Sequence, residues 1–215
     1  MKKFFIIAAL FALPLIAYLF FASGVHSFAR LPILTKEVKA LEDFKSAGQT
    51  EVTFDDNITV LGFFGENPLR YMGNSFNLAE KIYNDYYQFR DLQFVFIVPE
   101  GSKDEVKKFQ KEINEIIDPV KWKFVFGSQA EIRELFSSLN TSLELKNDLS
   151  TPNVFIIDKE GYLRGRDSDE DEGLLFGYDT GSVAELDDKM TDDVKVILAE
   201  YRLELKKYNK DKTSE

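Results

Sequence analysis

The stretch Thr151-Pro-Asn-Val-Phe-Ile-Ile-Asp-Lys-Glu-Gly-Tyr-Leu-Arg164 decides how this chain folds. Asn153–Asp158 is a short, continuous apolar run, the pattern of a strand buried on both faces. Lys159-Glu-Gly161 supplies the residues of a tight turn, and Tyr162–Gly165 returns antiparallel to the strand before it. A hairpin at this point closes a series that alternates strand and helix upstream.

Ile58–Phe64, Asp91–Pro99 and Trp122–Phe126 read as three further buried strands. Between the first two, Phe76, Ala79, Ile82, Tyr83, Tyr86 and Phe89 recur at helical spacing over 74–90. Ser102 with Glu105, Ser128 with Glu131 and Ser182 with Glu185 have the spacing of capping boxes, each opening a helix. The first is expected to bury Val106, Phe109, Ile113, Ile116 and Ile117, and the second Ile132, Leu135, Phe136 and Leu139. The last, over 182–207, is expected to bury Val183, Leu186, Met190, Val194, Ile197, Leu198, Tyr201 and Leu205. Glu51–Phe54 alternates as a short strand would. The order β-α-β-α-β-α-β-β-α implies parallel crossovers plus one antiparallel edge. This is the pattern of an α/β fold, with a mixed central sheet flanked by helices.

Residues 1–24 are expected to form an N-terminal transmembrane anchor. Lys2 and Lys3 precede a nearly unbroken apolar run from Phe4 to Ala22, the length that spans a bilayer core of about 30 Å. Pro14 within it is tolerated in a membrane helix. A cleaved signal peptide competes, with Ala22-Ser-Gly24 as the cleavage site. No cysteine follows the run, so a lipid-modified cysteine is excluded. The two lysines favour a cytoplasmic N-terminus and a single-pass protein of the cell membrane. Its globular part then lies outside the cytoplasm, in the periplasm of a Gram-negative cell. Residues 25–54 are expected to be a tether and N-terminal extension, broken by Pro32 and by Gly48–Thr50. Residues 55–207 make a domain of ordinary size, and 208–215 a polar, frayed tail. The net charge of −10 argues against nucleic acid and against adsorption to an anionic membrane surface. A basic protein surface is better matched as a partner, and solubility alone is the simpler explanation of the acidity.

The chain contains no cysteine and one histidine, His26. Thiol–disulfide exchange, thiolate metal sites and thiol peroxide reduction are therefore excluded. With one imidazole near the expected membrane edge, a serine triad is excluded in its usual form. Gly161, Gly165 and Gly173 do not form a phosphate-cradling loop. The acidic run Asp167–Gly173 places Glu172 and Tyr178 where an EF-hand requires glycine and glutamate. Met72 is a single soft side chain without partners and does not make a copper site. No metal or cofactor is expected.

The element order together with Thr151–Arg164 resembles a thioredoxin-like protein of the redoxin type, and most of all the Sco (SenC) family. The resemblance covers roughly 55–206 plus the anchor. It implies a membrane-anchored copper-delivery and assembly factor of cytochrome oxidase. The family carries Cys-Pro-x-x-Cys after the first core strand. This chain reads Phe63-Phe-Gly-Glu-Asn-Pro-Leu-Arg-Tyr-Met72 there, so with Pro68 aligned the cysteine positions are Asn67 and Tyr71. The family histidine falls near Ser150. Thr151-Pro152 stands where thioredoxin-like proteins place a cis-proline, and a cis bond is expected.

The resemblance thus implies the fold without its ligands. Phe64, Asn67, Pro68, Tyr71, Met72, Ser150, Thr151 and Pro152 become the expected surface of a non-catalytic binding module with a protein partner in the envelope. Two other readings remain open. One is an enzyme of non-thiol chemistry using carboxylates, Arg70 and Tyr71; the other is an acidic calcium-binding protein centred on Asp167–Glu172.

Overall fold

The computed structural model describes Ala12 and residues 30–48 and 51–213, with side chains up to Leu203 in the last helix. Apart from Ala12, the expected anchor lies outside the described residues, as do His26, Gln49, Thr50, the Leu205 side chain and the last two residues. No helix among the described residues is long and apolar enough to cross a membrane.

Among the described residues ten strands form: β1 (Ile33–Thr35), β2 (Lys45–Ser46), β3 (Ile58–Phe64), β4 (Leu92–Pro99), β5 (Trp122–Gly127), β6 (Ser150–Ile157), β7 (Leu163–Arg164), β8 (Arg166–Asp169), β9 (Gly173–Leu175) and β10 (Tyr178–Asp179). The helices are α1 (a 3-10 turn Pro68–Tyr71, then Met72–Leu78, a π-turn Ala79–Tyr83 and Asn84–Tyr86), α2 (Lys103–Ile113) and α3 (Gln129–Ser138). The last, α4, joins Val183–Glu185, a second π-turn Leu186–Met190 and Thr191–Thr213. It therefore runs past 207 into the stretch expected to be a frayed tail.

The main sheet has the order β1-β7-β6-β3-β4-β5-β2, with β10 also on β6; β8 and β9 pair separately. β3, β4 and β5 are parallel, as the crossovers require, and β6 is antiparallel to β3. Alternate residues of the central strands face opposite layers. Val60, Phe64, Phe94, Phe96, Phe124 and Ile156 pack under α1, α2 and α4. Leu61, Phe63, Val95, Ile97, Val125 and Phe155 pack under α3. This is the mixed sheet flanked by helices on both faces that the sequence pattern implies.

Residues 30–48 do more than tether. They supply both edge strands, β1 against β7 and β2 against β5, so the sheet's outer edges are closed by one short stretch of chain. Between the two strands the chain crosses the α3 face, where Thr35 Oγ1 donates to the Leu139 carbonyl and the Lys39 N–H to Ser138 Oγ, each at 2.8 Å. The strand expected at Glu51–Phe54 does not form. Val52 and Phe54 fill the α3-side core from a loop instead.

Arg164 is buried and joins four segments. It donates to the Leu31 carbonyl, to Asp158 Oδ2 at 3.0 Å and to Glu200 Oε2 at 2.7 Å. Asp158 also accepts the Glu160 and Tyr162 N–H groups, which shapes the hairpin turn. A buried guanidinium is tolerated because its charge and donors are matched.

Three expectations need correction. The Ser128–Glu131 box forms in full, but Ser102 makes no capping bond. A 3-10 turn (Glu100–Ser102) leads into α2, so Ser102 lacks the extended backbone a cap requires, and Glu105 pairs with Lys108. Half of the Ser182 box forms, the Glu185 carboxylate going to the Asp179 N–H. Phe76, Phe89, Ile116 and Val183 are exposed rather than core. Phe89 and Ile116 lie beyond their helix ends. Phe76 and Val183 each precede a π-turn, whose extra residue rotates the preceding turn by about 100° relative to the rest of the helix.

Candidate functional site

The register of β3 on β6 sets Phe64 opposite Ser150. Immediately after Phe64, Gly65 turns the chain with φ +63°, and a Cβ there would lie 2.3 Å from the Asp148 carbonyl oxygen. Glycine alone fits both the angle and the space. The Glu66 N–H donates to that same carbonyl at 3.1 Å, so segments 65–72 and 146–150 meet backbone to backbone. Pro68 opens the 3-10 turn at a position suited to its fixed φ.

That turn delivers Tyr71 inward. Its ring stacks on Phe64 with centroids 5.6 Å apart and planes 5° from parallel. Its buried hydroxyl donates to Ser150 Oγ at 2.8 Å. Ser150 Oγ donates in turn to Asp148 Oδ1 at 2.6 Å, and the Ser150 N–H reaches the same oxygen at 3.3 Å. Lys146 Nζ donates to the Tyr71 oxygen at 3.2 Å and lies 5.5 Å over the ring. The chain of donors therefore runs Lys146, Tyr71, Ser150, Asp148. Leu149, buried between the last two, takes φ +64°, a left-handed backbone costing a non-glycine residue about 1–2 kcal/mol. Arg70 touches Asp148 at 3.4 Å on the surface, a contact of little energy.

Of the eight residues expected at the site, Phe64, Tyr71 and Ser150 come into direct contact. Pro68 is buried beneath the turn, Asn67 is exposed, and Met72 is half-buried against the core. Thr151 and Pro152 are part of β6 and bond elsewhere: the Pro152 carbonyl accepts from the Thr180 N–H at 3.1 Å and Oγ1 at 2.6 Å. The expected cis bond is not found; no described peptide bond is cis. Pro152 lies within an extended strand toward β10, where only its carbonyl is used, so its missing N–H breaks no ladder bond. Lys146 and Asp148 were not foreseen. Their signal is the Asp-x-Ser spacing, since a short acidic side chain readily bonds the group two residues on.

The donor set here is amide, phenol, hydroxyl and carboxylate, with the Met72 thioether turned into the core. It does not fit copper, which takes soft sulfur and imidazole ligands. Non-thiol catalysis is poorly served as well. The one proton of the Tyr71 hydroxyl is already given to Ser150, and its oxygen already accepts from Lys146. Burial raises the carboxyls of Asp158 and Glu185 from their ordinary values. Both hold backbone N–H groups in turns, Asp158 in the β6–β7 hairpin and Glu185 beside Asp179.

A cleft of about 400 Å³ opens beside Glu66, lined by Pro99, Ser102, Gly127 and Ser128. It lies at the carboxyl ends of β4 and β5, the edge at which open α/β sheets receive ligands.

No protein-family model matches the chain, and no curated protein does. Solved structures do match. A SCO1/SenC family lipoprotein from Bacillus anthracis superposes with a TM-score of 0.58 at 16% identity, covering 79% of this chain and 99% of that one. BsSco, described as a member of the Sco family of cytochrome c oxidase assembly proteins, gives 0.51 at 15% identity over 76% and 92%. A putative protein disulfide isomerase from Bacteroides thetaiotaomicron gives 0.52 at 14% identity over 80% and 95%. The fold is thioredoxin-like, of the kind the Sco/SenC proteins adopt, on a chain without cysteine.

The acidic run 167–172 forms the β8–β9 hairpin, and its central carboxylate is occupied. Asp169 accepts from Lys189 Nζ at 2.7 Å and from the Asp171 and Glu172 N–H groups. Arg166 meanwhile donates to Asp193, which also accepts the buried Tyr178 hydroxyl at 2.7 Å. Among the described residues, no three or more His, Cys, Asp or Glu side chains converge as a metal site. The run pins the hairpin to α4.

Two substitutions test the junction. Gly65→Ala should cost about 3 kcal/mol or more in urea unfolding, through strain and overlap with Asp148. Tyr71→Phe, which keeps the ring stack, should cost about 1–2 kcal/mol. Equal losses for the two would contradict the described geometry. At the acidic hairpin, the Lys189 hydrogen bond holds Asp169 below its ordinary value of 3.8. Its contribution is therefore present above about that pH and lost as acid is added through the lower folded-state value. The stability curves of wild type and Asp169→Asn should converge on acidification below pH 3.8, and curves that stay parallel there would refute the pairing.

Proposed function

We propose that this protein is a membrane-anchored, extracytoplasmic binding module without thiol or copper chemistry, acting in the assembly of envelope or respiratory complexes. One observation carries the proposal. Two positions where the Sco resemblance places ligands are Tyr71 and Ser150, and they are bonded to each other and closed off by Lys146 and Asp148. A site whose polar groups are satisfied internally is a piece of architecture that presents a surface, and here it sits beside an open cleft. The apolar run Phe4–Ala22 supports the anchor. The assembly role rests on structural likeness to proteins of which one is described as a Sco-family oxidase assembly protein, which is an argument from fold.

The test is affinity purification of the tagged full chain from gently solubilised native membranes, beside a Glu66→Arg/Asn67→Arg variant altering exposed residues next to the cleft. Recovery of respiratory or envelope assembly components by wild type, diminished in the variant, is the expected result. Recovery that the variant leaves unchanged, or insulin-disulfide reduction by the purified chain above blank, would overturn the proposal.

A further inference from the structure

At the opposite end of β3 and β4 from the Tyr71 junction lies a second cavity, of about 420 Å³. Its volume falls in the range of small-molecule sites. Ile58, Leu92, Leu198 and the Tyr201 ring form an apolar lining, and the exposed Phe89 stands at its edge. The charges around it run against the character of the whole chain. In a protein of net charge −10, the lining holds three cations, Arg90, Lys159 and Arg202, against one carboxylate, Asp91. Asp91 is already paired with Lys159, and Glu160 nearby accepts the Tyr201 hydroxyl. Among the described residues the exposed guanidiniums of Arg90 and Arg202 have no ion-pair partner.

The path of the chain says what reaches this cavity. The Leu31 carbonyl is bound by Arg164, which also holds Glu200, one residue before Tyr201 in the cavity wall. Only seven residues, 23–29, separate the apolar run from Arg30, a reach of at most about 25 Å. An anchor at residues 4–22 therefore holds the α4 wall of the cavity close to a bilayer surface.

We propose that this cavity binds an anionic phospholipid, the acidic headgroup between Arg90 and Arg202 and the apolar part against Phe89, Leu92 and Leu198. The source of the lipid rests on the anchoring reading; the chemistry of the cavity does not. The chain's net negative charge opposes general adsorption to an anionic surface. It does not oppose a local contact, because charges beyond about 10 Å are screened at moderate salt.

The full chain in neutral detergent is titrated with dihexanoylphosphatidylglycerol, reading affinity by calorimetry and hydrogen exchange at residues 89–92 and 198–202. Saturable binding that slows exchange in both segments is expected, at least about tenfold weaker in Arg90→Gln/Arg202→Gln. Dihexanoylphosphatidylcholine should bind more weakly than the glycerol lipid. Equal binding of the two lipids, or an affinity unchanged in the folded double variant, would overturn the proposal. Inorganic phosphate binding as tightly as the lipid would overturn it too, leaving a site for a small anion. Carbonate extraction of native membranes checks the anchor separately: release of the chain would sink the anchoring reading and leave the titration's result on the cavity standing.

Discussion

The antiparallel pairing of β3 with β6 is the constraint on which the candidate site depends. It places Phe64 opposite Ser150, and the two loops that leave those strands are then forced together. Gly65 exists to permit that approach, and Tyr71 spans it. In a thioredoxin-like scaffold this corner is where chemistry would be expected. Here a phenol, a hydroxyl, an ammonium and a carboxylate satisfy one another across the same gap, in a chain without cysteine.

That corner adds to stability, but the greater part of it comes from the sheet. β3 and β4 are buried along their whole length between two apolar layers, and burial on that scale dominates folding. The edges are closed by residues 30–48, and the hairpin end is fixed by Arg164. Side chains at the loop ends can therefore be exchanged while the sheet and its crossovers persist. The same separation allows the opposite end of the sheet, near Arg90 and Arg202, to carry an independent surface character.

Strands and crossovers were legible in the sequence because β-branched and aromatic runs of six to eight residues have few other solutions. Ile58–Phe64 was bounded to the residue. Helix faces were legible only where the 3.6-residue period held. Phe76 and Val183 were misplaced because π-turns at Ala79–Tyr83 and Leu186–Met190 shift the phase, and no local pattern announces such a turn. At the site, Tyr71 and Ser150 were found through the resemblance. Lys146 and Asp148 were not, because what recruits them is a loop conformation, including the left-handed Leu149, that spacing alone does not reveal. The edge strands β1 and β2 were missed for a related reason: two or three residues carry no periodicity, and their pairing is set by the sheet they close.

The most direct test of the reading of this corner, a set of polar groups that satisfy one another and lack the donors copper takes, is Cu(I) retention by the purified full chain. It is compared with an Asn67→Cys/Tyr71→Cys/Ser150→His variant of confirmed fold. No stoichiometric copper is expected on wild type and about one ion on the variant, since thiolate and imidazole supply the soft donors the natural residues lack. Stoichiometric copper on wild type, or none on the folded variant, would contradict it.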